Sequence, residues 1–219
     1  YDGGVLGNIF SGNTTTKAGG GLYVDYLYGA VSGNTFTSNT AAERGGGASI
    51  GQIKESGSCN GNTFESNEIV SSTIWGSGGG LYVGTVDGQC NTNEATGNSI
   101  STIESSQGRG GGIFISGIQS TGSFSDNQIT TNSTDYLAGG VCLVNLYSGA
   151  TFTGNTISGN TAALNAGGCF VNTILNTEVQ NEFDYKISET NSISGNNLTA
   201  PTDTSYRNLW TPWVDDRVN

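Results

Sequence analysis

Histidine is absent from this chain of 219 residues, and only seven residues are Lys or Arg. Without histidine, neither a Ser-His-Asp nor a Cys-His arrangement can form, and we expect no zinc or haem site and no cofactor. A net charge of −11 argues against nucleic acid, whose binding depends on neutralising phosphates. It argues equally against anionic membrane surfaces. No apolar run approaches the roughly 18–20 residues of a membrane span, so no membrane insertion is expected.

Proline is also scarce, with two residues, whereas glycine contributes 36. That balance, with 11% charged residues, fits many short strands and tight turns. Disorder is not expected, because apolar residues recur in register and the charge is spread thinly. No signal peptide is visible, so we expect a mature form or a fragment.

One short pattern recurs along the chain, an Asn-x-φ-x-x-Asn unit in which φ is a large apolar residue. Six copies are complete, and their asparagines are Asn8 and Asn13, Asn34 and Asn39, Asn62 and Asn67, Asn127 and Asn132, Asn155 and Asn160, and Asn191 and Asn196. A seventh copy begins at Asn98 with Ile100 but has Ile103 in place of the second Asn, and a pairing of Asn93 with Asn98 competes with it. The copies start 26–36 residues apart, and internal repetition at such a period predicts a solenoid.

Between these units lie glycine clusters, each followed by an alternating strand. The clusters with their strands are Gly19–Val24, Gly45–Ile50, Gly78–Val83, Gly110–Ile115, Gly139–Val144 and Ala166–Val171. We therefore predict an all-β fold, a right-handed parallel β-helix over residues 1–198. It should have about six to seven coils of 26–36 residues, with three short strands in each coil. Residues 199–219 form a non-repeat tail, for which two interpretations stay open: a cap on the helix or a segment that docks on a partner.

The two asparagine columns are predicted to be structural. An inward Asn at a bend between parallel strands can bond the Asn of the coils above and below, which satisfies polar groups that would otherwise be buried unpaired. Three glycosylation sequons occur, at Asn13, Asn132 and Asn197. The first two belong to a ladder, so we expect only Asn197 to carry a glycan.

Four cysteines lie about one repeat apart in pairs, and none has Cys-x-x-Cys spacing. We predict two disulfides between neighbouring coils, Cys59–Cys90 and Cys142–Cys169, and hence an oxidising compartment.

The middle residue of each strand after a glycine cluster should face outward if its neighbours face inward. This predicts a vertical apolar stripe, and exposed stripes of this kind usually mark contacts. Lateral association with another chain, sugar stacking, and coverage by the loops after Val24 and Val83 all remain open as explanations. The predicted contact residues are Tyr23, Tyr82, Phe114, Leu143 and Phe170, together with Trp210 and Trp213 of the tail.

The repeats resemble those of the chlamydial polymorphic outer-membrane proteins, which pair a Phe-x-x-Asn motif with Gly-Gly-Ala followed by Ile, Leu or Val. The first motif is matched by Phe10–Asn13, Phe36–Asn39 and Phe64–Asn67, and the second, with Gly for Ala, by Gly19–Leu22, Gly78–Leu81 and Gly110–Ile113. Later copies depart from the family pattern, with Ile129, Ile157 and Ile193 in place of Phe. The likeness covers most of residues 3–197 and implies a secreted β-helical protein with adhesive or surface-coat roles.

We therefore expect a non-enzymatic extracellular or cell-surface protein that is structural or adhesive. It would self-associate end to end or laterally, or bind a glycan or another surface ligand. The alternative is a polysaccharide-active β-helix enzyme, for which Lys17, Arg44 and Arg109, each before a glycine cluster, are the basic candidates. A less favoured alternative is an ice-binding solenoid, suggested by outward hydroxyls such as Thr35 and Thr37 and interrupted at Ile9, Glu65 and Gln128.

Overall fold

The computed structural model describes residues 3–71, 76–102, 108–175, 191–198, 209–210 and 213–214. Throughout these residues the fold is all-β, and the pairings between strands are parallel. The predicted parallel β-helix is confirmed. Each coil begins here at its first ladder asparagine, and the coils repeat after 26, 28, 31, 34, 28 and 36 residues. Coils 1 to 6 therefore begin at Asn8, Asn34, Asn62, Asn93, Asn127 and Asn155, and a seventh begins at Asn191.

The described strands of the coils belong to four sheets, and they are numbered β1 to β26 along the chain. Sheet 1 holds the strands between the two asparagines: β2 (Ile9–Ser11), β5 (Thr35–Thr37), β9 (Thr63–Glu65), β12 (Glu94–Thr96), β16 (Gln128–Thr130), β20 (Thr156–Ser158) and β23 (Ser192–Ser194). Sheet 2 follows the second asparagine: β6 (Thr40–Ala41), β10 (Glu68–Ser71), β13 (Ser99–Thr102), β17 (Ser133–Thr134), β21 (Thr161–Ala162) and β24 (Asn197–Leu198).

Sheet 3 follows the glycines and has the longest strands: β3 (Leu22–Leu27), β7 (Ala48–Ile53), β11 (Leu81–Val86), β14 (Ile113–Ile118), β18 (Val141–Tyr147) and β22 (Cys169–Leu175). Two short tail strands, β25 (Leu209–Trp210) and β26 (Trp213–Val214), pair with β22. Sheet 4 leads into the next asparagine through β1 (Gly4–Leu6), β4 (Ala30–Ser32), β8 (Ser58–Asn60), β15 (Ser123–Ser125) and β19 (Thr151–Thr153). Sheet 2, whose strands are as short as two residues, is an addition to the three strands that the sequence predicted.

The core is a column of apolar side chains from the inward positions of these sheets. Phe10, Phe36 and Phe64 stack in successive coils, with ring centroids 4.8 and 4.9 Å apart. In coil 4 this position is Ala95, and the large side chain comes instead from sheet 4, where Phe124 stacks on Phe152 of the next coil. Large and small side chains thus exchange places across the core, which keeps it close-packed.

The glycine clusters allow sheet 3 to approach the neighbouring coil. The first cluster position has a positive φ, as in Gly45, and the same conformation is adopted by Ala138 and Ala166. A Cβ on the second glycine, for example on Gly79, would lie 2.2 Å from the carbonyl oxygen of Gly111 in the next coil. The backbones are therefore too close at this position for any larger residue.

Both predicted asparagine ladders are present, and they satisfy their own polar groups. The Oδ1 of Asn98 accepts hydrogen bonds from the backbone N and the Nδ2 of Asn67, at 2.9 and 3.0 Å. The Nδ2 of Asn98 donates in turn to Asn132 Oδ1 and to the Phe64 carbonyl, at 2.9 and 2.8 Å. The same bonds recur from coil to coil, so buried amides are stable in the core.

The structure selects the competing alignment for coil 4. Asn93 lies in the first ladder and Asn98 in the second, so the unit is Asn93, Ala95 and Asn98 rather than one that begins at Asn98. The ladders are therefore unbroken from coil 1 to coil 7. Their members are Asn8, Asn34, Asn62, Asn93, Asn127, Asn155 and Asn191 in the first ladder, and Asn13, Asn39, Asn67, Asn98, Asn132, Asn160 and Asn196 in the second.

All four cysteines are buried, and no disulfide joins them in this structure. The Cys142–Cys169 disulfide is incompatible with the register: Cys142 pairs with Phe170 and Cys169 with Val141, so the two side chains face opposite sides of sheet 3. Cys59 and Cys90 do lie in one inward column, where they interact, and that disulfide stays a prediction. Burial raises the pKa of Cys142 to about 12 and also raises that of Cys169.

Candidate functional site

The outward face of sheet 3 carries the candidate site, and its register corrects the predicted stripe. We define the outward column as the six residues that succeed one another there: Tyr23, Ser49, Tyr82, Phe114, Cys142 and Phe170. Leu143 is fully buried in the core, and Cys142 takes its place on the stripe. The shift arises because Ala138, rather than Gly139, is the first residue of that glycine cluster.

A second column stands just before the glycine clusters and lies over the outward column. This covering column consists of Ala18, Arg44, Ser77, Arg109, Leu137 and Asn165. In coils 4 to 6 its Leu137, together with Tyr136 and Leu164, packs against Phe114, Cys142 and Phe170. The stripe is thus covered in this region, although by residues before the glycines rather than by the loops after Val24 and Val83.

In coil 1 the same face is open and rich in tyrosine, whereas Ser49 of coil 2 is buried and Tyr82 of coil 3 is half-buried. Tyr23 is 55% exposed, and Tyr26 and Tyr28 on the same stretch of coil 1 are 62% and 61% exposed. Lys54 lies over the ring of Tyr26, 5.1 Å from its centroid. Among the described residues, the accessible part of the predicted contact surface is therefore at the N-terminal coil.

A cleft of about 580 Å³ lies in this open region. We call it the Arg44 cleft, and it is lined by Lys17, Ala18, Tyr23, Glu43, Arg44, Ser49, Gly51 and Tyr82. It exists because Ser49 interrupts the aromatic column between Tyr23 and Tyr82. Ser49 itself is buried at the base of the cleft, with 2% of its surface exposed.

Arg44 stands over the gap that Ser49 leaves. Its Cζ is 5.2 Å from the centroid of the Tyr82 ring, and its Nη1 is 3.5 Å from the Tyr82 hydroxyl. Phe114 stacks on Tyr82 at 5.3 Å, with the ring planes 3° apart. Because Arg44 belongs to coil 2 and Phe114 to coil 4, they cover opposite faces of the Tyr82 ring. The guanidinium takes the position that a ring from coil 2 would otherwise fill.

The other charged groups near the cleft are already partnered. Lys17 Nζ and Glu43 Oε1 form a salt bridge of 2.9 Å. The hydroxyl of Tyr23 donates to Asp25 Oδ1 at 2.6 Å, and this bond to a carboxylate raises the pKa of Tyr23. Its ring is therefore fixed at the edge of the cleft. Among the described residues, no carboxylate contacts the exposed guanidinium of Arg44.

The basic residues considered for catalysis do not form one row. Arg44 and Arg109 share the covering column with Ser77 between them, whereas Lys17 precedes that column by one residue. In the described part of the chain, no group of three His, Cys, Asp or Glu residues could hold a metal ion.

The outward hydroxyls of sheet 1 are less regular than the sequence indicated. The register of coil 4 in the structure places Glu94 beside Thr63 and Gln128. Glu94 therefore adds an interruption to those at Ile9, Glu65 and Gln128. An ice-binding surface would need continuous pairs of hydroxyl groups. The array that contains Thr35 and Thr37 lacks this continuity.

The remaining predicted residues are placed as follows. Asn132 is buried in its ladder with 1% of its surface exposed, and Asn197 is exposed on β24, as its proposed glycosylation needs. Asn13 belongs to the same ladder as Asn132 but is exposed in coil 1, contrary to the prediction that both are inward. The backbone of Trp210 pairs with Phe170 and that of Trp213 with Thr173, while their side chains lie outside the described part of the structure. Of the residues described, none belongs to a helix long and apolar enough to cross a membrane.

Comparisons of the chain with protein-family models, with curated proteins and with solved structures find no match.

Proposed function

We propose that this chain is a non-enzymatic structural and adhesive protein of the extracellular space or cell surface. The observation that carries the proposal is the contrast along sheet 3: one end of a rigid solenoid face is covered, and the other presents three exposed tyrosines beside an arginine cleft. Aromatic side chains with a polar end are typical of contact surfaces. The resemblance of the repeats to surface-protein repeats also supports this function.

The extracellular location rests on that resemblance, on the exposed Asn197 of a glycosylation sequon and on the proposed Cys59–Cys90 disulfide. Self-association is the second part of the proposal, laterally through the tyrosine face or end to end through the coils. The tail strands β25 and β26 pair with the edge of β22, which favours a capping role for the tail over a docking role.

A triple variant, Tyr23→Ser, Tyr26→Ser and Tyr28→Ser, tests the adhesive face. Beads coated with the chain are counted after washing on surfaces that carry the same chain or a mixed glycan array, and sedimentation velocity reports self-association. We expect the triple variant to lose most retention. The matched control changes three exposed hydroxyl residues of sheet 1, Ser11, Thr156 and Ser192, to Ala and should retain it. Equal retention by both variants would refute the adhesive face.

The enzyme alternative is favoured by one observation, the meeting of basic and phenolic side chains in the Arg44 cleft. Glycoside hydrolysis needs two carboxylates roughly 5–10 Å apart with separate roles. The carboxylates near the cleft, Glu43 and Asp25, are engaged by Lys17 and Tyr23. A lyase reaction would instead use a basic residue, and the release of unsaturated sugar products from acidic polysaccharides would establish it.

A further inference from the structure

We infer that the Arg44 cleft binds a carboxylate-bearing sugar ring, the repeating unit of an acidic polysaccharide. The inference rests on the proposed adhesive function and names the class of ligand. It begins with Arg44, whose guanidinium is exposed and held over Tyr82 without a carboxylate partner among the described residues. A planar guanidinium offers two parallel N–H donors to a carboxylate, a geometry that an ammonium group cannot reproduce.

The covering column shows two ways of covering the outward column, by a leucine in coil 5 and by an arginine in coil 2. The equivalent residue of coil 5, Leu137, is 8% exposed and packs on the apolar stripe. An apolar residue in coil 2 could cover Tyr82 in the same way. Arg44 covers the ring with its planar group and still leaves its charge accessible.

The cleft is less negative than the molecule as a whole. Lys17 and Arg44 contribute two positive charges, and Glu43 and the Asp25 carboxylate that accepts the Tyr23 hydroxyl contribute two negative charges, so the local net is zero in a chain of net charge −11. The surrounding acidic surface would repel a polyanion in general, so binding should be confined to the region where cations lie close together.

The aromatic side chains beside Arg44 provide a surface on which the sugar ring of the ligand can stack. Tyr23 and Tyr82 are two coils apart in the outward column, or about 9.6 Å at the usual strand spacing. Tyr23 is more than half exposed and its hydroxyl is fixed by Asp25, so its ring presents an accessible apolar face. A pyranose with equatorial substituents has C–H groups on both faces and can stack there while its carboxylate meets Arg44.

The test compares two trisaccharides that differ only in the carboxylate: a β-1,4-linked glucuronic acid trimer and a β-1,4-linked glucose trimer. Titration calorimetry on the whole chain should show the acidic trimer binding at least about tenfold more tightly. Arg44→Leu, which copies the residue found in coil 5, should remove that difference. Arg44→Lys keeps the charge but loses the two-donor plane, and it should restore only part of the affinity.

Lys54→Leu provides the matched control, because it also removes a cation that lies over a tyrosine ring on this face. Its affinity for the acidic trimer should equal that of the unchanged chain. Arg44 is exposed, so the variants should fold, and thermal unfolding checks this independently.

Two results would overturn the inference. One is equal affinity for the acidic and the neutral trimer. The other is that a Gly-Glu-Gly peptide binds as tightly as the acidic trimer and with the same dependence on Arg44, because the partner would then be a protein carboxylate. If either occurs while the tyrosine triple variant still loses adhesion, the adhesive function stands and only the ligand class is wrong.

Discussion

The two ends of the sheet 3 face have the same backbone and opposite surfaces. In coils 4 to 6, Phe114, Cys142 and Phe170 are buried under Tyr136, Leu137 and Leu164. In coils 1 to 3, Tyr23 is exposed, Ser49 replaces a ring, and Arg44 occupies the covering position. A solenoid can therefore change one part of its side from core to contact surface by substituting residues in two columns, because the ladders hold the backbone independently.

The largest expected difference between the two regions concerns those ladders. Asn98→Ala in coil 4 leaves buried donors and acceptors of Asn67 and Phe64 unpaired, at about 1–3 kcal/mol each. We expect a loss of roughly 3–6 kcal/mol in the free energy of unfolding. Asn13→Ala, at an exposed position of coil 1, should cost less than about 1 kcal/mol. Urea unfolding measures both, and equal losses would mean that the ladder does not depend on burial.

Removing a side chain from the outward column should also cost more stability in the covered region than in the open region. Phe114→Ala deletes a ring that is 7% exposed and should cost about 3 kcal/mol through lost burial and a cavity. Tyr23→Ala deletes an exposed ring and should cost about 0.5 kcal/mol or less. Thermal unfolding of the two variants gives the comparison, which fails if Tyr23→Ala is as destabilising as Phe114→Ala.

The covered region should also protect Cys142. Burial raises the pKa of this thiol from 9.0 to about 12, so it stays protonated and unreactive towards iodoacetamide at pH 8. Leu137→Ala should expose it and increase the alkylation rate, measured by mass spectrometry. Because the unfolded thiol ionises near pH 9 and the folded one does not, the unfolded state binds fewer protons above that pH. Stability should therefore fall as pH rises from 9 to 12, and fall less in Cys142→Ala.

The smallest effect is expected from a substitution that makes the open region resemble the covered one. Ser49→Phe places a ring in the gap between Tyr23 and Tyr82, where it can extend the stack of Tyr82 on Phe114. We expect a gain of about 1 kcal/mol from the added aromatic contact, seen as a higher unfolding temperature. Thr37→Phe on sheet 1, where no such stack exists, should give no gain. A lower unfolding temperature for Ser49→Phe would mean that Arg44 fills the gap too completely to be displaced.

The sequence predicted the solenoid and both ladders, because the asparagines recur at a regular spacing and an inward asparagine needs a hydrogen-bond partner in the next coil. Coil 4 departs from the repeat pattern, because Ala95 stands where the neighbouring coils have Phe64 and Ile129. The compensating signal was Phe124 in sheet 4, but it becomes visible only when the two sides of the core are considered together. Local sequence patterns do not show that a small side chain in one sheet is compensated by a large side chain in another sheet of the same coil.

The candidate site was predictable only in part. The alternation of the strands correctly predicts Tyr23, Tyr82, Phe114 and Phe170 on the outward face, whereas counting from Gly139 wrongly predicts Leu143 there. Aligning Ala138 with Ala166 would have given Cys142 instead, since both alanines adopt the positive φ of the cluster. The role of Arg44 could not be predicted, because it depends on a side chain that crosses from coil 2 to coil 3.

The spacing between the two asparagines is five residues in every coil, but the chain from the second asparagine to the glycine cluster varies. It is short between Asn39 and Gly45 and about twice as long between Asn67 and Gly78. The chain from the cluster to the next coil also lengthens, between Ala166 and Asn191. Variation in length is thus confined to two segments of the repeat, so evolution or an engineer could insert new residues there while the asparagine ladders keep their register.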